Sequence, residues 1–168
     1  MNSGPEALAD ALALRRLVEV YAQAMDAGDP DGFGEIFVPE GALIVLAPGS
    51  EKPMGSFEGP GPDGVGLIAG FLSELYRDTM HHITNHTVEV DGDQASGTTY
   101  CLAYHLCNDD EGERIETLGV TYADTYVRTA AGWRIHTRRA TRIWSQIEQL
   151  DTSPLLVDRA AGRRARSV

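Results

Sequence analysis

Cysteine is scarce in this chain. Its 168 residues hold two, Cys101 and Cys107. Six positions apart on one expected strand, they stand about 20 Å from each other at roughly 3.3 Å per residue, beyond disulfide reach. Both read as reduced thiols, small buried hydrophobes of a cytoplasmic protein. Basic charge is also short: 14 Lys+Arg face 25 Asp+Glu, a net charge of -11. A surface for nucleic-acid phosphates needs the opposite sign. No apolar run approaches the roughly 20 residues of a membrane-spanning helix. The segment Met1–Glu6 lacks the basic region and apolar core of a secretory signal. These absences set aside a disulfide scaffold, a nucleic-acid binder and a membrane protein.

What is present is ordinary globular material, 42% hydrophobic and 23% charged, enough for one domain over residues 1–150. The polar, basic stretch 151–168 reads as a partly disordered tail. Over residues 7–27, Leu14, Leu17, Val18, Tyr21 and Met25 recur at helical spacing, and Gly28 stops the pattern. Asp29-Pro30 reads as an N-cap and first helical residue, opening a short helix to about Phe37 with Phe33 and Phe37 inward. Ala42–Ala47 is an apolar run of strand length. Residues 48–66, crowded with glycine and proline, read as a loop. Helical periodicity returns over about 65–77, with Ile68, Phe71, Leu72 and Leu75 on one face.

The period then changes to two. Strands are expected at about 81–90, 95–107, 114–128 and 133–147, joined by turns at Asp91-Gly92-Asp93, Asn108–Gly112 and Ala130-Ala131-Gly132. Helices first and an antiparallel meander last argue for an α+β fold, with the helices covering one face of a curved sheet.

Most chemical constellations fail on local grounds. Residues Gly59–Gly64 match G-x-G-x-x-G, but Pro60 and Pro62 remove backbone donors that a pyrophosphate needs. No dinucleotide site follows. His82 and His86 have the helical i, i+4 spacing of zinc ligands. Their segment is β-rich, which puts them about 13 Å apart, too far to share a metal. Ser73, Ser96 and Ser145 lack a nucleophile-elbow context. No cofactor and no metal are expected.

One constellation survives. Asp26 lies in the last turn of the first helix, where the helix dipole disfavours a negative charge, beside the apolar face of Tyr21 and Met25. A carboxylate kept there suits a histidine partner from the sheet. Bonded to one ring nitrogen, it fixes the tautomer and raises the basicity of the other, making a general base near neutral pH. Which histidine is open. If Val88 and Val90 face the helices, strict alternation brings His82, Thr84 and His86 inward; a β-bulge before Val88 brings His81 inward instead.

Over roughly residues 10–150 the chain resembles the SnoaL-like, nuclear-transport-factor-like superfamily, nearest its bile-acid 7α-dehydratase and scytalone dehydratase group. The resemblance is carried by Tyr21–Asp26, Met80–Asn85, Val88–Ala95, Tyr122–Tyr126 and Gly132-Trp133 running on to Arg142. It implies a cone-shaped α+β barrel, N-terminal helices packed against a curved, mostly antiparallel sheet, and a homodimer or homotrimer. It implies a cofactor-independent dehydratase acting on a hydrophobic ring alcohol of steroid, terpenoid or polyketide type. Catalytic roles fall on Asp26, His81 and Tyr21, which favours His81 over His82 and implies the bulge. Substrate-binding roles fall on Arg142, His105, Tyr122 and His82. The chain departs from the group at Ala103, where a polar residue is usual and His105 stands two residues on, and at Leu46, where a tyrosine is usual. An isomerase or cyclase of the same fold, with Asp26 as the base, and a non-catalytic ligand-binding or assembly module are the other readings.

Overall fold

A computed structural model describes residues 4–109 and 112–150. The expected tail 151–168 lies outside the described residues. Helix α1 (Pro5–Asp26) opens with proline in its first turn behind an extended Gly4, where the missing N–H costs nothing. It buries Leu14, Val18, Tyr21, Ala22 and Met25 along one face. Helix α2 (Pro30–Gly34) starts as the Asp-Pro pair predicts: the Asp29 carboxylate accepts from the Gly32 N–H at 3.0 Å. The chain then enters β1 (Phe37–Leu46) at Phe37, sooner than the sequence suggests.

Strand β2 (Pro53–Glu58) lies inside the stretch expected to be loop. It pairs antiparallel with β1, from Ala42 opposite Glu58 to Leu46 opposite Pro53. It is an edge strand beginning on proline, a place where a strand tolerates the missing donor. Helix α3 (Leu67–Leu75) also corrects an expectation. Phe71 and Leu75 are exposed, and Ala69 is the buried residue. The reason is close approach: a Cβ on Gly66, just before α3, would collide with the Pro30 and Gly61 carbonyls. The helix therefore approaches closely at its small residues, while Ile68 and Leu72 pack half-buried against the core as expected.

Strands β3 (Asp78–Asp91), β4 (Gln94–Asp109), β5 (Gly112–Thr129) and β6 (Gly132–Gln149) form the meander. The six strands run in the order β2-β1-β6-β5-β4-β3, antiparallel except for β1 beside β6. The sheet is curved but unclosed; β2 and β3 are its edges. Its inner face packs Tyr122, Tyr126, Trp133 and Ile135 against α1 and α2, so burial of apolar surface holds the layers together. No helix among the described residues is long and apolar enough to cross a membrane.

One irregularity decides what the sheet presents inward. The β3–β4 register shifts between Ile83 and His86. Before it, Thr79, His81 and Ile83 are the more buried residues; after it, His86 and Val88 are. A bulge leaves carbonyls without ladder partners, and here Arg15 of α1 takes them. Its Nη1 donates to the Thr84 carbonyl at 2.9 Å and its Nη2 to that of Ile83 at 3.2 Å.

Candidate active site

The bulge turns Thr79 and His81 toward the end of α1, where Asp26 waits. The Asp26 carboxylate collects three bonds from β3. His81 Nδ1 lies 2.6 Å from Oδ1, the Thr79 hydroxyl donates to the same oxygen at 3.0 Å, and the His81 backbone N–H donates to Oδ2 at 2.9 Å. The His81 side chain is 6% exposed and that of Asp26 25%. Burial pushes the Asp26 carboxyl up, but the bonds and charge of His81, with Thr79, outweigh it and hold it below its ordinary value. An ionised carboxylate accepts only, so Nδ1 carries a proton, and in a neutral ring the lone pair falls on Nε2.

His105, on the inner face of β4, places its ring 5.5 Å from that of His81. Both its ring nitrogens are buried without a partner. Burial, then the charge of His81, push its pKa down to about 4 against the pull of Asp26, so near neutral pH it is uncharged. On its other side stands Tyr76, ring centroid 4.4 Å away, whose hydroxyl donates to Glu116 Oε2 at 2.9 Å.

Deeper in the core, Tyr21 packs against Phe33 at 4.7 Å and Tyr122 at 5.7 Å between centroids. Burial pushes its hydroxyl up to about 12, against the charge of Arg138, so it stays protonated. The Arg138 guanidinium, fully buried, lies 4.0 Å from the Tyr21 ring centre and 4.3 Å from that of Tyr122. Its Nε and Nη2 donate to the Asp124 carboxylate at 2.8 and 2.6 Å, and the Tyr126 hydroxyl donates to Asp124 at 2.7 Å.

The expected residues thus divide. Asp26 and His81 meet, His105 stands beside them, and Tyr21 and Tyr122 share a core cluster. His82 does not join them: it is exposed on the opposite face, with Nε2 2.7 Å from Met80 Sδ. The strict alternation that would have turned it inward is broken by the bulge. Arg142 is exposed, and its charge reaches Tyr76; the arginine inside the aromatic cluster is Arg138. Sequence reading missed Arg138, Asp124, Tyr76 and Thr79. A plain hairpin about Ala130-Ala131 sets Asp124 against Thr137. A register shift between Thr125 and Tyr126, with His136 the extra residue, brings Arg138 there instead. Among the described residues, five clefts stand out, and none is lined by Asp26 or His81. One of them, by Tyr100, Ile143 and Trp144, lies on the outer sheet face.

A family model described as a SnoaL-like domain matches residues 6–139. The chain belongs to the SnoaL-like family. The uncharacterized protein Rv2910c of Mycobacterium tuberculosis (strain ATCC 25618 / H37Rv) is 27% identical over 143 residues, 83% of this chain and 90% of that one. Solved structures share the fold at lower identity. The Kfla4162 protein of Kribbella flavida superposes with a TM-score of 0.72 at 22% identity, covering 83% of this chain and 95% of its own. A hexachlorocyclohexane dehydrochlorinase, LinA-type3, of Novosphingobium barchaimii LL02 gives 0.69 at 18%, covering 89% and 96%. A candidate scytalone dehydratase of Novosphingobium aromaticivorans gives 0.68 at 20%, covering 89% and 95%. One SnoaL-like architecture hosts differently named proteins, so function has to be argued from the site.

Proposed function

We propose that this SnoaL-like protein is a cofactor-independent dehydratase of hydrophobic ring alcohols, with Asp26 and His81 as its general base. The observation that carries the reading is the 2.6 Å contact between Asp26 Oδ1 and His81 Nδ1. In this reading Nε2 of His81 removes a proton from carbon next to a carbonyl or unsaturated system. The electron pair forms the new double bond as the neighbouring C–O bond breaks. The hydroxyl leaves with a proton from Tyr21, which burial keeps protonated, and departs as water. His105, Tyr122 and Arg142 are the substrate-binding residues; His82, on the outer face, has no part. Two structural neighbours bear names of eliminations, a dehydratase and a dehydrochlorinase, which supports an elimination here. An isomerase with Asp26 alone as base fits less well, because three donors already hold its carboxylate and weaken it as a base.

A positioned base contributes roughly 10²–10⁴-fold, which sets the size of the test. The protein is incubated with a panel of hydroxysteroids and polyketide alcohols, and products are read by mass spectrometry for loss of one water. Asp26→Asn and His81→Gln are each expected to slow that loss by about 10²–10⁴-fold while circular dichroism stays native. Wild-type rates in both variants overturn the reading. Binding of panel members without any turnover by the native protein points to the ligand-binding module.

A further inference from the structure

The carboxylate of Asp26 is held in an unfavourable place. It closes α1, where free carbonyls leave the negative end of the helix dipole, and no basic side chain stands in the last turn. What holds it there comes from one short piece of β3. Thr79 and His81 are two positions apart, on the face that points inward before the bulge. Oδ1 is shared by the Thr79 hydroxyl at 3.0 Å and His81 Nδ1 at 2.6 Å, and Oδ2 is held by the His81 amide at 2.9 Å. Turning the carboxylate about its Cβ–Cγ bond breaks all of these together. The amide and the imidazole belong to one residue, so they approach from one side. Thr79 supplies the bond that does not come from His81.

We propose that Thr79 is a positioning residue for the Asp26–His81 pair: its hydroxyl fixes the plane of the Asp26 carboxylate and thereby the single tautomer of His81. The assignment deepens the Asp-His reading, which gives the clamp its use, but its geometry can be tested without turnover. The chemistry requires a hydroxyl. An ionised carboxylate only accepts, so the group opposite must donate, and a threonine hydroxyl can rotate to do so. Serine keeps the donor, while valine keeps the shape and loses it. Losing a donor to the charged form makes a carboxyl less acidic and frees its plane to turn. The Nδ1–H bond then stops being the one arrangement that satisfies both partners.

The test uses the full-length chain with ¹³C-labelled aspartate and ¹⁵N-labelled histidine, read by NMR across pH. In the native protein His81 is expected to show one tautomer, protonated at Nδ1. In Thr79→Val the Asp26 midpoint is expected to rise by about 0.5–1 pH unit, and the His81 nitrogens to show exchange between tautomers. Thr79→Ser should restore both signals. If the valine variant fails to fold, Thr79→Ala read against Thr79→Ser makes the same comparison. A merely space-filling threonine leaves the midpoint and tautomer unmoved in valine, and that result overturns the proposal. Shifted signals combined with wild-type turnover in Asp26→Asn and His81→Gln would keep the clamp and remove the reaction assigned to it. Unmoved signals with dead Asp26 and His81 variants would do the reverse.

Discussion

His105 carries both ring nitrogens into the interior without a partner, and that has a measurable cost in acid. Its pKa is pushed down from 6.5 to about 4, first by burial and then by His81. Between those values the unfolded chain holds the proton and the folded chain does not. Stability therefore falls as pH drops from about 6.5 toward about 4, and above 6.5 the contribution is complete. The full span is worth about 3 kcal/mol at most. His105→Gln, which takes up no proton, is expected to flatten the dependence of urea-unfolding free energy on pH across that window; an unchanged slope refutes this. At this scale the sequence was a good guide to Asp26, because an acid at the wrong end of a helix is visible as a local anomaly. It was a poor guide to Thr79, since nothing about a threonine in a strand marks it as a donor to a helix some fifty residues earlier.

Element by element, the bulge in β3 controls the most. Because side chains alternate, one extra residue exchanges the faces of everything beyond it. Deleting Asn85 restores plain alternation. It must turn either Thr79, His81 and Ile83 outward or His86 and Val88 outward. The expected outcome is loss of the Asp26–His81 contact, with an unfolding free energy lower by about 2–4 kcal/mol from the apolar packing forfeited with it. Histidine NMR and urea titration read the two effects, and a variant retaining both would show that the bulge is dispensable. The meander itself was legible because hydrophobic alternation and Asp-Gly or Ala-Gly turns are local signals. Strand β2 was not: a short edge strand beginning at Pro53 and containing Gly55 looks like loop until β1 is seen beside it. Helix α3 was legible in place and for Ile68 and Leu72, which pack against the core, but not for Phe71 and Leu75, which are exposed.

For the whole molecule, the buried Arg138–Asp124 pair joins β5 to β6 and lies beneath α1 through Tyr21. Both side chains are 0% exposed. Arg138→Met leaves the Asp124 charge unpaired in the core and is expected to cost about 3–5 kcal/mol. The double variant Arg138→Met with Asp124→Leu is expected to recover much of that, since the penalty belongs to the lone charge. Denaturant unfolding of both decides it; equal losses would mean that packing around the guanidinium, and not its charge, holds the strands.

By itself the sequence determined the periods and their order, helices at 3.6 and strands at two, because these are set by residues within a few positions of each other. From them follow the α+β class, the meander and an acid awaiting a histidine. Periodicity left the histidine open, the resemblance favoured His81, and the tertiary structure places His81 against Asp26. That choice depends on the parity of β3, which turns on a bulge whose carbonyls are taken by Arg15, 68 and 69 residues away. It also made Arg138 the buried arginine through a second slipped register. Such slips are settled by partners on other strands and on α1, and no local pattern contains them.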